Sequence, residues 1–333
     1  MRLNLRFAPD PFIVGLVTAV ALASLLPCRG RVAELFAVVT NFAIALLFFL
    51  HGAKLSREAI LGGIGNWRLH LTVLASTFIL FPLIGLALRF VCRGFVSAPM
   101  LDGVLFLCLL PSTVQSSIAF TSIARGNVPA AVCSASASNV LGMAFTPILV
   151  ALFLGAQAQT APGGGISLGA IVDIGLQLLA PFIVGHLARP LMVGFLTRNK
   201  SVVNLVDRGS ILLVVYTAFS AAIVQGLWSR LSFGDLAVVI VLNGLVLGLA
   251  LFATTIGARR LGFNRADEIA IVFCGSKKSL ASGVPMAGVL FPAASVGVMI
   301  VPLMLFHQMQ LMVCAMLARR YAAATIVVHE AVT

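Results

Sequence analysis

Hydrophobic residues in this chain fall into runs of about 20 that recur from end to end, each long enough to cross a bilayer. Taking Gly, Pro and charge clusters as punctuation gives ten such runs: 11–27, 33–53, 68–92, 100–124, 128–154, 167–188, 209–228, 235–258, 267–290 and 292–318. Strands of a membrane barrel would show short alternating segments instead. The pattern therefore predicts an all-α membrane protein with ten transmembrane helices. Between the second and third runs, LSREAILGGIGNW reads as a short amphipathic piece resting in the interface. AQAQTAPGGGIS, over 156–167, is the linker-like stretch, and it divides the chain near its midpoint. Arg2 and Arg6 before the first run imitate a secretory signal, but the many later spans make 11–27 a first transmembrane helix.

Composition agrees with this picture, since 60% of the 333 residues are hydrophobic and only 10% charged. The formal charge of +12 does not indicate nucleic acid, because no basic run with interleaved aromatics occurs, and basic residues collect on the cytoplasmic loops of membrane proteins. On the side of the N-terminus lie fifteen Lys and Arg, on the opposite side five (Arg29, Arg31, Arg89, Arg93 and Arg230). That asymmetry predicts both termini in the cytoplasm; the location expected for the chain is the plasma membrane, the inner membrane if the source is bacterial. The six cysteines have no C-x-x-C spacing and read as buried hydrophobes, neither a disulfide frame nor a metal site.

The sequence also repeats itself. PFIVG occurs at Pro11–Gly15 and again at Pro181–Gly185, 170 residues apart. With nearly the same offset, DGVLFLCLLPSTVQSS from Asp102 corresponds to EIAIVFCGSKKS from Glu268: an acidic residue, an apolar run with a cysteine, then a small-polar break. Five spans per half is odd, so the halves, 1–155 and 167–320, should lie in opposite orientations. Inverted repeats with paired broken helices mark secondary transporters, with sites near the midplane. Lys277 lies ten residues beyond Asp267, about 15 Å along a helix and roughly halfway across a ~30 Å core. For Pro111 alone, an ordinary proline kink is the competing reading.

PSTVQSSIAFTSIARGN (111–127), PAAVCSASASNVLG after it, and FCGSKKSLASGVPMA (273–287) resemble the bile acid:sodium symporter family, solute carrier family 10. The likeness is to its divergent branch typified by the seventh member and bacterial relatives, and it covers nearly the whole chain, including STFILFP and LFHQMQ. The resemblance implies a panel domain of helices 1, 2, 6 and 7, a core domain of helices 3–5 and 8–10, and unwound, crossing helices 4 and 9. It also implies sodium sites, but the positions that matter hold Phe273 for a glutamate, Lys277 for a glutamine and Thr77 for a second glutamine. The helix 4 pair falls near Ser116, Ser117 and Ile118, and the helix 5 hydroxyls near Ser134, Ser136 and Ser138. Sodium coupling is therefore not carried over with the fold.

The residues alone lead to the same place. None of the ten acidic residues lies at the midplane of a predicted span; Asp173 comes closest. Candidate oxygens are Gln115, Ser116 and Ser117 in span 4 (with Ser112 and Thr113), Ser134, Ser136, Ser138 and Asn139 in span 5, and Ser276 and Ser279 beside the lysines. Their alternative role is to let helices pack closely. A charge at the bilayer centre costs at least ~2.5 kcal/mol. Half of the chain's four lysines nevertheless sit adjacent at 277 and 278, and lysine, unlike arginine, can lose its proton when buried. The expectation is that the Lys277 ammonium stands where relatives hold sodium, among the span 4 and span 5 oxygens. Lys278, about 100° away on a helix, would face the substrate cavity and attract an anion. His307 and Gln308 (with Gln310) in span 10 are secondary candidates.

No cofactor is expected, and coupling is open between proton, sodium and none. The expected partners are a small organic, anionic solute and the lipid bilayer, with oligomeric state undetermined. A secondary transporter leads; a cation/proton exchanger and a membrane regulator of ion (calcium) homeostasis remain alternatives. No serine/histidine/carboxylate set or metal motif points to an enzyme.

Overall fold

The computed structural model describes residues 11–55, 66–155, 168–227 and 233–330. Residues 56–65 of the expected interfacial piece, the linker over 156–167 and the side chain of Asp173 lie outside the described residues. Among the described residues the chain is helical, with no strand. We number the helices α1 (Pro11–Leu25), α2 (Gly30–Lys54), α3 (Trp67–Val91), α4a (Ala98–Leu109) and α4b (Gln115–Ile123), α5 (Val128–Leu154), α6 (Leu168–Arg198), α7 (Lys200–Val224), α8 (Phe233–Arg260), α9a (Arg265–Gly275) and α9b (Leu280–Leu290), and α10 (Ala293–Glu330). Seven of them (α2, α3, α5, α6, α7, α8 and α10) are long and apolar enough to cross a membrane; α1 and α4a are shorter apolar helices.

The largest departure from the sequence reading lies at 189–208, expected as a charged loop. There α6 continues through Pro190 to Arg198, and α7 begins at Lys200 after a single residue. Charge density marks where a helix leaves the apolar layer, not where it stops.

Three local irregularities have sequence causes. In α3 the turn Ser76–Leu80 is a π-helix, and the Phe81 N–H donates to Ser76 O, one residue out of α-register. The next residue, Pro82, has no N–H to give, so the Thr77 carbonyl is left without a helical donor. In α4, Pro111 removes another donor and forces Leu110 into an extended conformation (φ −78°, ψ 158°), which ends α4a. In α9, Ser276–Ser279 is non-helical, and Ser279 caps α9b by accepting from the Ser282 N–H.

Helix α2 packs along α6 and α7, and α1 lies on α7, while α10 packs against both α4a and α7. The second PFIVG motif explains the α2–α6 approach. A methyl group at Gly185 would overlap the Phe49 carbonyl oxygen, and one at Gly52 the Phe182 carbonyl oxygen, so the two backbones touch. In the first motif, Gly15 faces only the side chain of Leu212, at 3.1 Å. Where α10 meets α7, Gly297 rests on Ala218 and Ala222.

Two ion pairs hold the entrances to the broken helices. Arg89 at the end of α3 pairs with buried Asp102 in α4a at 2.8 Å, and Arg259 at the end of α8 pairs with buried Glu268 in α9a at 3.0 Å. The arginines are 170 residues apart, the same offset as the PFIVG motifs. Their energetics differ. Glu268 also binds Arg265 and the Tyr321 hydroxyl, and Arg259 is 59% exposed. Arg259→Ala should therefore cost under about 1 kcal/mol in thermal unfolding. Arg89→Ala leaves Asp102 without its cation and should cost about 3 kcal/mol.

Candidate functional site: the meeting of two helix breaks

The two interruptions meet. Ser279 N–H donates to Pro111 O at 2.9 Å, the Ser112 hydroxyl donates to Cys274 O at 2.5 Å, and the Ser117 hydroxyl donates to Phe273 O at 2.9 Å. Each helix end so exposes carbonyls that the other element satisfies, the requirement for any break buried in lipid. At the end of α4a the accounting covers four carbonyls. Leu109 O accepts from the Thr146 hydroxyl at 2.9 Å, Pro111 O from Ser279, and Cys108 O and Leu110 O from Lys278.

Lys278 is fully buried, and its ammonium donates to Thr77 O at 2.9 Å, Cys108 O at 2.8 Å and Leu110 O at 2.6 Å. An ammonium has three N–H donors, and all three are used. The Phe81 ring lies 4.2 Å from the nitrogen, a cation–π contact. The backbone of Lys278 is held as firmly: its N–H donates to Gln310 Oε1 and its carbonyl accepts from Gln310 Nε2, both at 2.9 Å. Gln310 Nε2 also lies 2.9 Å from His307 Nδ1.

Lys277 turns the other way. Its ammonium is buried 4.3 Å from the Phe120 ring and 5.4 Å from that of Phe273, with no hydrogen-bond partner among the described residues. The expectation that Lys277 sits among hydroxyls is thus corrected, as is the expectation that Lys278 faces a cavity. The break has no helical phase, so 100° spacing does not assign the faces. The oxygens expected around Lys277 are engaged elsewhere. Thr113 bonds Ser116 and Ser117, Ser134 bonds His70, Ser138 accepts from Ser112 N–H, and Asn139 accepts from Ser282.

Of the remaining candidates, the Thr77 hydroxyl donates to Val73 O, so its contribution is its carbonyl. The Ser276 hydroxyl donates to Val272 O, and Ser279 is the α9b cap. Gln115 is exposed, while Ser136 and Gln308 are half-buried and make none of these bonds among the described residues. Sequence reasoning missed Phe81, Phe120, His70, Thr146 and Ser282. Pro82 was the available signal that α3 lacks one backbone donor, but that the carbonyl released is Thr77 O, five residues earlier, follows from the π-turn and not from the sequence.

Away from the breaks, a cavity of about 200 Å³ lies between α2, α7 and the α9b–α10 turn. Thr40, Asn41, Thr217 and Ser220 line it together with Phe36 and Gly288, and its lining has no charged side chain among the described residues. Thr40 and Thr217 are 3.3 Å apart across it. None of the candidate site residues named from the sequence lines this cavity.

Long apolar helices together with two interrupted ones bonded at their breaks define a multi-pass helical membrane protein built around a buried polar centre. Comparison with known proteins narrows this. The chain belongs to the SBF-like CPA transporter family, whose profile matches residues 10–323. It is 59% identical to an uncharacterised protein of Pseudomonas aeruginosa (strain PAO1) over 95% of this chain and 94% of that one. It is 53% identical to YfeH of Escherichia coli (strain K12), provisionally described as a symporter, over the same shares. Sodium/bile acid cotransporter 7 of Mus musculus is 27% identical, again over 95% and 94%. The expected resemblance is thereby established at the level of family.

Proposed function

We propose that this protein is a secondary transporter that moves a small organic solute across the plasma membrane by alternating access. It would do so with ten spans in two inverted repeats and both termini in the cytoplasm. The observation that carries this reading is the junction of α4 and α9, two helices broken at corresponding points and bonded break to break. The 170-residue offset shared by Gly15 and Gly185 and by Arg89 and Arg259 supports the repeat. In this reading the panel is α1, α2, α6 and α7, the core α3–α5 and α8–α10, and the solute path would run through the cavity between α2, α7 and the α9b–α10 turn. Among the described residues its lining carries no charge, so we propose the solute only as small and organic and leave its charge open.

The relative in mouse carries sodium in its name. Here the carbonyls gathered at the centre already hold an ammonium, and we propose transport that does not require sodium. A cation/proton exchanger is the second reading, favoured by the Lys277 ammonium that has no hydrogen-bond partner among the described residues.

Proteoliposomes separate these readings. With a panel of labelled organic solutes of each charge class, uptake should exceed that of empty vesicles and persist when choline replaces sodium. Thr217→Trp, which fills the cavity, should lower uptake at least tenfold in protein that still elutes as a single species. No uptake of any solute, with proton release on adding sodium or potassium, would move the assignment to the exchanger.

A further inference from the structure

The three carbonyls that hold Lys278 converge for reasons that do not involve Lys278. Thr77 O is free because Phe81 N–H is taken by Ser76 O and Pro82 has none. Cys108 O and Leu110 O are free because Pro111 stops α4a and the Ser112 N–H donates to Ser138 instead. Two prolines, on α3 and α4, thus aim three oxygens at one point, and the negative end of the α4a dipole points there as well. The ring face of Phe81 adds a fourth cation-attracting surface. Lys278 reaches this point from a third element, the α9 break, and the oxygens lie 2.6 to 2.9 Å from its nitrogen.

We infer that Thr77 O, Cys108 O, Leu110 O and the Phe81 ring form a monovalent-cation site whose occupant is the chain's own Lys278 ammonium. This goes beyond the transport reading and is tested without it. The site suits one positive charge: three neutral carbonyls with no carboxylate do not compensate a divalent ion, which takes carboxylate oxygens. Oxygens at these distances fit ammonium and potassium better than ions needing contacts of about 2.0–2.6 Å. Carbonyl oxygens are the ligands that replace water around potassium in channels. Shortening the side chain should therefore open the site to a free cation without dismantling it.

The test is thermal unfolding of purified full-length protein in detergent, for wild type, Lys278→Ala and Lys278→Met. Each is titrated with methylammonium, ammonium, potassium or sodium chloride against choline chloride at equal ionic strength. Lys278→Ala should melt lower than wild type in choline and regain about 4 °C, saturably, with methylammonium, ammonium or potassium, less with sodium. Wild type should not respond, and neither should Lys278→Met, whose side chain fills the space. If Lys278→Ala yields no folded protein in choline, recovery as a single species in ammonium or potassium supports the site. An equal response to every salt, a Lys278→Met response matching that of Lys278→Ala, or no response and no recovery in any salt would overturn it.

Discussion

Gln310→Leu is expected to lower the thermal midpoint by about 8 °C, although the side chain touches no ligand. Gln310 sits fully buried on α10 and closes both backbone groups of Lys278, its amide accepting from the N–H and donating to the carbonyl. Leucine keeps roughly the volume and removes both partners at once. A buried backbone group without a partner costs about 1–3 kcal/mol, and here there are two, with no solvent to substitute. Part of the loss is offset because the unfolded chain in a micelle also finds partners, so about 4 kcal/mol is the working figure. A shift below 2 °C in detergent-solubilised protein would show that α9 keeps its break without this clamp.

Gly185→Val is expected to abolish monodisperse protein on size exclusion. Even a methyl group at this position overlaps the Phe49 carbonyl oxygen, and a backbone atom cannot rotate away as a side chain can. The helices α2 and α6 would have to separate along the whole contact that Gly52 makes from the other side. Gly15→Ala in the matching motif provides the contrast. It meets only the methyl groups of Leu212, which can change rotamer, so its cost should stay under about 1 kcal/mol. Equal behaviour of the two glycines would mean that the α2–α6 approach is looser than the structure shows.

How much of this was legible in the sequence follows from which signals are local. Helix positions came from the length of apolar runs, and each predicted run overlaps a described helix. The breaks were legible because Pro111 and the polar run 276–279 interrupt otherwise apolar segments. The orientation of the two lysines was not. Helical periodicity assigns faces only where there is a helix, and 276–279 is not one. Nor could the side-chain inventory reveal the oxygens around Lys278, since all three are main-chain carbonyls, one released by a π-turn in a third helix. The cavity escaped notice because lone Thr, Ser and Asn residues are common in apolar helices, and nothing local separates those that meet across α2 and α7 from the rest.

An interrupted helix is the usual place to look for a hinge, yet here it is riveted. The carbonyls of Cys108, Leu109, Leu110 and Pro111 are each bonded to α5 or to the α9 break. Bending at that point would release several of these bonds together, so α4, α5 and α9 are tied to one another there. Among the described residues, the contact of Gly297 with Ala218 and Ala222 between α10 and α7 has no such fastening. It is a low-relief seam of small groups, the kind of surface along which packed helices shear. On the alternating access we propose, slippage would belong to the plane beside the cavity, with the polar centre carried along as rigid cargo.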